Sequence, residues 1–202
     1  IDAEKLQLDL LALEDFYRNR GYRMVRIDAA RRVAADNDRV DLVIPVYEGP
    51  KYTVDSVSFG KMTVFKPDEL APALSMAGGQ DFSGKKVRDD ERMIRSYYGS
   101  RGYADARVVP EMRDVSPGVV AITYKITEGT RYRVGRVNIQ GNTLTKDKVI
   151  RREIPMQPGD YYNSVDEETT KLRLQNLRYF KQVEVSGSPG SQPGYRDVNV
   201  LV

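Results

Sequence analysis

Two short runs of carboxylates are the first groups in this 202-residue chain that could do chemistry. The runs at 89–91 and 166–168 contain the residue types of a general acid and a general base. Such catalysis needs a second group that exchanges the proton, and neither run has a plausible partner. The second run falls in the first turn of a predicted helix, where acids complement the helix dipole. We therefore expect neither run to be catalytic and the chain not to be an enzyme.

The chain contains no His, no Cys and no Trp, which excludes several further classes of site. Without thiols or imidazoles there can be no disulfide, no His-dependent nucleophile and no thiolate or imidazole metal site. The glycine-rich stretches 78–80 and 187–191 lack the Gly-Lys-Ser/Thr ending of a phosphate loop. We therefore predict no catalytic residue, no metal site and no cofactor.

Charge is nearly balanced, with 32 basic and 29 acidic residues and a net charge of +3. Basic and acidic side chains alternate along the chain, which is typical of a solvated surface, so we predict no nucleic-acid partner. No apolar run approaches the roughly 20 residues that a membrane-spanning helix needs. The first five residues, Ile-Asp-Ala-Glu-Lys, do not resemble a signal peptide, and we expect this start to lie inside a longer protein.

The elements that would position any site are repeated along the chain. Residues 48–54 match 128–134, and residues 17–22 match 98–103 about 80 positions later, with a looser third copy at 177–180. Two anchors at nearly the same offset indicate a tandem repeat of about 80 residues.

Each copy predicts the same order of elements: strand, helix, helix, strand, strand. In the middle copy these are 52–59, 67–77, 87–98, 106–109 and 119–126. In the last copy they are 133–139, 145–154, 164–177, 181–185 and 197–202.

Helix caps and one proline refine this pattern. Thr145 is the predicted cap of one helix, and Ser164 with Glu167 has the spacing of a capping box for the next. The first copy is truncated to an amphipathic helix over 6–17 and two strands, about 22–33 and 39–47. Pro45 lacks an amide hydrogen, so we predict that it faces an open side of its strand.

These motifs resemble the polypeptide-transport-associated (POTRA) domain family along the whole chain. In the last repeat, Gly141-Asn142, the run 149–153, Gly159-Asp160 and Tyr179-Phe180 are similar to the membrane-proximal POTRA domain of BamA-type outer-membrane assembly factors. The middle repeat departs from the family pattern at Gly60-Lys61 and Pro72.

The resemblance implies an α+β fold of tandem POTRA repeats, each β-α-α-β-β with two helices packed on a three-stranded mixed sheet. It implies the strand order 1-3-2 within each sheet. The predicted domains are a truncated unit over 1–49, a complete unit over 50–128 and a complete unit over 129–202, the last of the membrane-proximal type.

The resemblance also implies a role in the periplasm as part of a bacterial outer-membrane protein. Its expected partners are unfolded outer-membrane β-barrel proteins, accessory assembly lipoproteins and the protein's own C-terminal membrane barrel. An uncovered sheet edge can accept an extended peptide as an additional strand, that is, by β-augmentation. We expect the edge that receives client strands to be formed by Asp105, Ala106, Arg107, Val108 and Val109.

The second predicted contact surface is Arg151-Arg152-Glu153, near the end of a helix. The resemblance implies that this group meets a partner protein or the barrel. The alternative for these residues is an ordinary solvated face or a local ion pair. For the whole chain, two alternatives stay open: a rigid scaffold that never touches client, and the POTRA region of an autotransporter-assembly or two-partner secretion barrel.

Overall fold

A computed structural model describes residues 2–29, 31–34 and 40–202. The N-terminal segment forms helix α1 and two antiparallel ladders, β1 with β4 and β2 with β3. The bounds are α1 Ala3–Arg18, β1 Arg26–Ile27, β2 Arg31–Ala34, β3 Val40–Val43 and β4 Val46–Tyr47. Within the described part of the chain, we find no helix with the length and apolarity of a membrane span.

Helix α1 begins where Asp2 caps it, because the Asp2 carboxylate accepts hydrogen bonds from the backbone N–H groups of Glu4 and Lys5. The amphipathic helix is as predicted, but each of the two predicted strands is divided into two short strands. Pro45 lies just before β4, and its carbonyl accepts a hydrogen bond from the Asp28 N–H at 3.1 Å. The N and O of an extended residue point to the same neighbouring strand. The Pro45 carbonyl therefore faces Asp28, just after β1, and the prediction that Pro45 faces an open side is wrong.

The middle segment forms a three-stranded sheet of order β5-β7-β6, with β7 parallel to β5 and joined to β6 as a hairpin. The helix predicted over 67–77, which Pro72 was expected to shorten or distort, is one α-turn and one 3-10 turn, because Pro72 has no N–H to continue it. The bounds are β5 Thr53–Phe59, α2 Pro67–Leu70, the 3-10 turn Ala71–Ala73, α3 Gly84–Gly99, β6 Arg107–Ser116 and β7 Val119–Thr127.

The last segment repeats this topology with the order β8-β10-β9, in which β10 is parallel to β8 and antiparallel to β9. The bounds are β8 Arg133–Gln140, α4 Asp147–Arg151, α5 Ser164–Asn176, β9 Glu184–Pro189 and β10 Tyr195–Leu201. The predicted α+β class, the mixed sheets and the 1-3-2 order are therefore confirmed.

Both predicted caps of the last segment are wrong. Helix α4 starts at Asp147, and its N-cap Lys146 makes no side-chain capping bond. The cap of α5 is Asn163, whose side chain accepts from the Val165 N–H at 3.0 Å. Glu167 does not reach back to the cap; it accepts a hydrogen bond from the Tyr162 hydroxyl.

The chain divides into two compact units: Ile1–Lys61, Pro67–Glu91 and Val109–Lys125 form the first, and Met62–Lys66, Arg92–Val108 and Ile126–Val202 the second. Each unit has its own buried apolar residues. In the first they include Val54, Leu70, Met76, Phe82, Val120 and Ile122. In the second a cluster contains Val134, Ile150, Met156, Tyr162, Leu174, Val198 and Val200.

A buried carboxylate distinguishes the middle repeat from the last. Asp90 on α3 is 1% exposed and accepts three hydrogen bonds: from the N–H of Ser75 (2.6 Å), the N–H of Met76 (3.0 Å) and the hydroxyl of Tyr124 (2.9 Å). Burial, reinforced by the Asp90 charge, raises the pKa of Tyr124. The position 80 residues later is Thr170, which is fully buried and whose hydroxyl has no hydrogen-bond partner.

Candidate partner-binding surfaces

The first predicted surface lies where β6 forms an edge of its sheet, since β7 occupies the centre. Asp105 and Ala106 precede β6, and residues 107–109 begin it. Ala106 and Val108 are 5% and 7% exposed, so both point into the protein. Arg107 is exposed, and Val109 is 56% exposed on the opposite side of the strand. The exposed side chains of the predicted set are therefore those of Asp105, Arg107 and Val109, whereas those of Ala106 and Val108 are buried.

The β6 edge has features that both permit and limit strand addition. An edge strand leaves alternate backbone N–H and C=O groups without a neighbouring strand. Pro110 lies within β6, as prolines in sheets do at edges, and removes one backbone donor. On the exposed face, the Lys125 ammonium of β7 lies 2.6 Å from the Glu111 carboxylate, which ties β6 to the central strand. The open edge is thus a ten-residue β-strand with one missing donor.

Asp105 has internal partners. Its carboxylate accepts hydrogen bonds from the Tyr132 hydroxyl and from the Arg196 guanidinium, both at 2.7 Å. The Tyr132 bond is the largest cause that lowers the pKa of Asp105. Next to it, the Tyr132 N–H donates to the Gly102 carbonyl at 2.8 Å, with Gly102 at φ +100°. Asp105 therefore ties the turn before β6 to the start of β10.

A similar pair of contacts, one backbone hydrogen bond and one ion pair, occurs in the N-terminal part of the chain. There the acidic and basic partners of the ion pair have changed places. There the Tyr52 N–H donates to the Gly21 carbonyl at 2.8 Å, as Tyr132 does to Gly102. The guanidinium of Arg23 pairs with Asp114 at 2.7 Å. In this tie the cation precedes β1 and the acid lies near the end of a hairpin strand.

The second predicted surface, Arg151-Arg152-Glu153, lies at the C-terminal end of α4. Arg151 pairs with Asp147 at 3.1 Å and Arg152 with Glu153 at 3.2 Å. The side chains of Arg151 and Arg152 are 50% and 65% exposed, whereas that of Glu153 is 22% exposed. A cavity of about 250 Å³ adjoins this end of the helix. It is lined by Val137, Arg151, Ile154, Met156, Gln157 and Pro158.

The middle repeat does not carry this charged group. Its equivalent residues, 71–73, are Ala-Pro-Ala, 80 positions earlier. The group is therefore not required to build the repeat, because the same fold forms there without it. The structure brings Arg152 and Glu153 together and leaves both arginines accessible from outside.

Sequence reasoning missed the role of Glu128. Its carboxylate accepts hydrogen bonds from the N–H groups of Thr63 (3.0 Å) and Val64 (2.9 Å) and from the Tyr98 hydroxyl (2.9 Å). The Thr63 hydroxyl also donates to it. Burial alone would raise the pKa of Glu128, but these hydrogen bonds outweigh burial and lower it.

A signal for this contact was present in the repeat pattern. In the first copy, a hydrogen bond to Glu48 and its charge add to burial in raising the pKa of Tyr17. Tyr17 and Glu48 occupy the same places in the repeat as Tyr98 and Glu128. A tyrosine and a glutamate that recur together, about 30 residues apart, indicate a contact between them. Over the described ranges 2–29, 31–34 and 40–202, no cluster of three or more acids could hold a metal ion.

Comparison with known proteins decides the family. The POTRA family model, described as a surface antigen variable number repeat, matches residues 52–129 and 132–202. The chain belongs to the POTRA family. Its fold matches the crystal structure of Haemophilus influenzae BamA POTRA3-5 with a TM-score of 0.82. The two sequences are 30% identical, and the match covers 97% of this chain and 79% of that one.

Curated relatives point to the same group of POTRA proteins. The chain is 31% identical over 188 residues to the outer membrane protein assembly factor BamA of Neorickettsia risticii (strain Illinois), covering 90% of this chain and 25% of the relative. It is 27% identical over 203 residues to BamA of Neisseria meningitidis serogroup B, covering 98% and 26%. The chain thus spans about a quarter of these relatives, and the predicted resemblance to the POTRA region of BamA-type assembly factors is confirmed.

Proposed function

We propose that this POTRA chain is the periplasmic, partner-binding part of an outer-membrane protein assembly factor. The observation that carries the proposal is the match of 97% of the chain to three consecutive BamA POTRA domains. Its partners are unfolded β-barrel proteins, accessory lipoproteins and a C-terminal membrane barrel of the same protein. We further propose that its repeats divide as predicted, at 49/50 and 128/129.

Unfolded clients bind by β-augmentation at the β6 edge. Main-chain hydrogen bonds supply the affinity in this mode, so clients of varied sequence are accepted. The outward Val109 offers a clean probe because it is 56% exposed. A proline at Val108 would also disturb packing, since that side chain is 7% exposed.

Disulfide crosslinking tests this binding mode. The chain has no cysteine, so Val109→Cys introduces a single thiol. A synthetic barrel-strand peptide that carries one cysteine should crosslink to this thiol at least about tenfold faster than to Ser58→Cys on the opposite edge, β5. Neighbouring strands bring opposed Cβ atoms to about 5 Å. Equal crosslinking at both edges, or none, would favour the alternative of a rigid scaffold.

Accessory proteins dock at Arg151-Arg152-Glu153 on the last repeat. Two exposed arginines beside a half-buried carboxylate and an apolar cavity suit a partner with both charged and apolar groups. Charge complementarity at such a rim supplies specificity more than affinity.

Charge reversal at Glu153 tests this docking site in the full-length assembly factor. Glu153→Lys should lower outer-membrane protein levels severalfold, and Glu153→Gln, which keeps the shape, should do so less. Because Glu153 pairs with Arg152 and is partly covered, we expect Glu153→Lys to cost about 1 kcal/mol of stability. Reversing the facing charge on the partner should restore assembly, since only a direct contact couples the two sites. Loss of assembly that follows lost stability without such rescue would contradict the docking site.

A further inference from the structure

Helix α5 presents apolar side chains to the outside that its own core does not use. Val165 and Leu172 are 40% and 51% exposed. They are seven residues apart, which places them on one face about 10 Å apart along the helix axis. The buried face of α5 is a different one and contains Thr170 and Leu174, both fully buried.

The middle repeat shows what this outer face looks like when it is merely solvated. Ile94 of α3 and Leu174 of α5 are fully buried 80 residues apart, which aligns the two helices. The exposed positions of α3 are Lys85, Arg88, Arg92, Arg95 and Ser96. The same positions of α5 are Val165, Glu168, Leu172, Gln175 and Asn176. Single exposed apolar residues are common in proteins. Here all four cations of the face are replaced, two of them by aliphatic side chains.

A tyrosine extends the apolar character just beyond the helix. Arg178 has a φ of 55° and is the one non-glycine residue with positive φ in the part of the chain that the structure describes. This left-handed residue ends the helical path after the C-cap Leu177. The next residue, Tyr179, is 65% exposed. Tyrosine is enriched in protein interfaces, where its ring buries apolar area and its hydroxyl stays hydrated.

The charges along α5 indicate which way an occupant would lie. Asp166 and Glu168 lie in the first half of the helix, whereas Arg173 lies in its last turn and Arg178 just beyond. Helices commonly carry acids in their first turn and bases in their last. A second helix that runs antiparallel to α5 would therefore place its acids beside Arg173 and its bases beside Glu168. An anionic membrane surface would instead repel the exposed Glu168, which lies between Val165 and Leu172 on this face.

We propose that the outer face of α5 docks an amphipathic helix of a partner protein, antiparallel to α5. The partner helix has aliphatic side chains about seven residues apart, acids in its first turn and Lys or Arg in its last turn. Heptad-spaced aliphatic side chains on two helices interlock along such a seam. This surface goes beyond the proposed function, because it uses neither the β6 edge nor Arg151-Arg152-Glu153.

Binding of a designed helix to the whole chain tests the inference. The probe is a side-chain-stapled peptide of about 16 residues with the pattern just described, since shorter unconstrained helices are marginal in water. A twin peptide has the same composition with its acidic and basic ends exchanged. Fluorescence anisotropy should show the chain binding the first peptide at least about tenfold more tightly than the twin.

A helix-face exchange supplies the matched variants. Val165→Lys with Leu172→Arg gives α5 the residues that α3 already carries, so the fold should be retained, as circular dichroism can verify. This double variant should bind the first peptide at least about tenfold more weakly. The control, Ser186→Lys with Leu201→Arg, makes the same charge change at exposed positions of β9 and β10 and should bind within about twofold of the native chain.

Three outcomes would overturn the inference. The exchanged variant could bind as the native chain does, or the native chain could fail to distinguish the two peptides. The native chain could also sediment with vesicles of phosphatidylethanolamine and phosphatidylglycerol while the exchanged variant does not, which would assign the face to a membrane. None of these outcomes bears on strand-peptide crosslinking at Val109.

Discussion

Replacing Asp90 with alanine is expected to lower the free energy of unfolding by about 3–5 kcal/mol, which is a large fraction of a domain's stability. The buried carboxylate receives the N–H groups of Ser75 and Met76 and the hydroxyl of Tyr124. Its removal leaves the buried Met76 N–H and Tyr124 hydroxyl, and the part-buried Ser75 N–H, without this acceptor. Each buried donor that loses its acceptor costs about 1–3 kcal/mol. Urea unfolding of the native chain and the variant, followed by circular dichroism, measures the difference.

Two further variants separate this carboxylate from its surroundings. Asp89, the neighbouring acid, pairs with Lys85 on the helix surface at 2.8 Å, so Asp89→Ala should cost within about 0.5 kcal/mol. Thr170→Val, at the position equivalent to Asp90, should be neutral or stabilising by up to about 1 kcal/mol because it removes a buried hydroxyl without a partner. If Asp90→Ala costs no more than Asp89→Ala, the carboxylate does not hold the loop at 75–76.

The last repeat has no carboxylate at the position of Asp90, and it also lacks one of the N–H groups that this carboxylate binds. Where the middle repeat has Ser75, whose N–H binds Asp90, the last repeat has Pro155, which has no N–H to bind. Met76 and Met156 are buried at equivalent places, 2% and 4% exposed. A threonine can therefore replace the aspartate at this place in the last repeat.

The fold class could be predicted because the repeat itself is a long-range signal. Matching segments at 48–54 and 128–134 place two copies of every element in the same order, so errors in one copy are corrected by the other. The burial of Asp90 could also have been predicted from the sequence. Asp90 lies three residues after Val87 and four before Ile94, so the three residues share one face of the helix. No catalytic role is predicted for the carboxylate run at 89–91, and its one buried member, Asp90, was not identified from the sequence.

Elements that depend on pairing or on single side chains could not be predicted in this way. Strand β9 runs over Glu184–Pro189 although Ser186, Gly187 and Ser188 favour a loop, because β10 supplies a full antiparallel partner there. The cap of α5 shifted by one residue to Asn163, which meets the same need for an acceptor as the predicted serine.

The prediction of the binding edge was incomplete because it could not include contacts between residues far apart in the chain. Asp105 was assigned to a binding edge, yet its contacts with Tyr132 and Arg196 come from residues 27 and 91 positions away in the chain. Spacing within one motif carries no information about such distant partners. The Arg151 and Glu153 positions stay predictions, because their importance depends on a second protein.

Replacing Glu128 with alanine is the second change with a large expected effect. At neutral pH we expect a loss of about 2–3 kcal/mol, because two backbone N–H groups and the hydroxyls of Thr63 and Tyr98 lose their shared acceptor. The loss is no larger because the Glu128 carboxylate is only partly buried, so water can replace some of the hydrogen bonds.

The pH dependence of this loss distinguishes an ionised acceptor from simple packing. The folded state lowers the pKa of Glu128, so its stabilising contribution is present above the unfolded value of about 4.3. That contribution is lost as the pH falls through the lower folded value. The stability difference between the native chain and Glu128→Ala should therefore shrink below about pH 4. Glu111→Ala, which removes an exposed ion pair with Lys125, is the control and should cost within about 0.5 kcal/mol at neutral pH. A Glu128→Ala difference that stays constant from pH 7 down to about pH 3 would show that the side chain acts through its shape, and that the loop at 63–64 is held by other contacts.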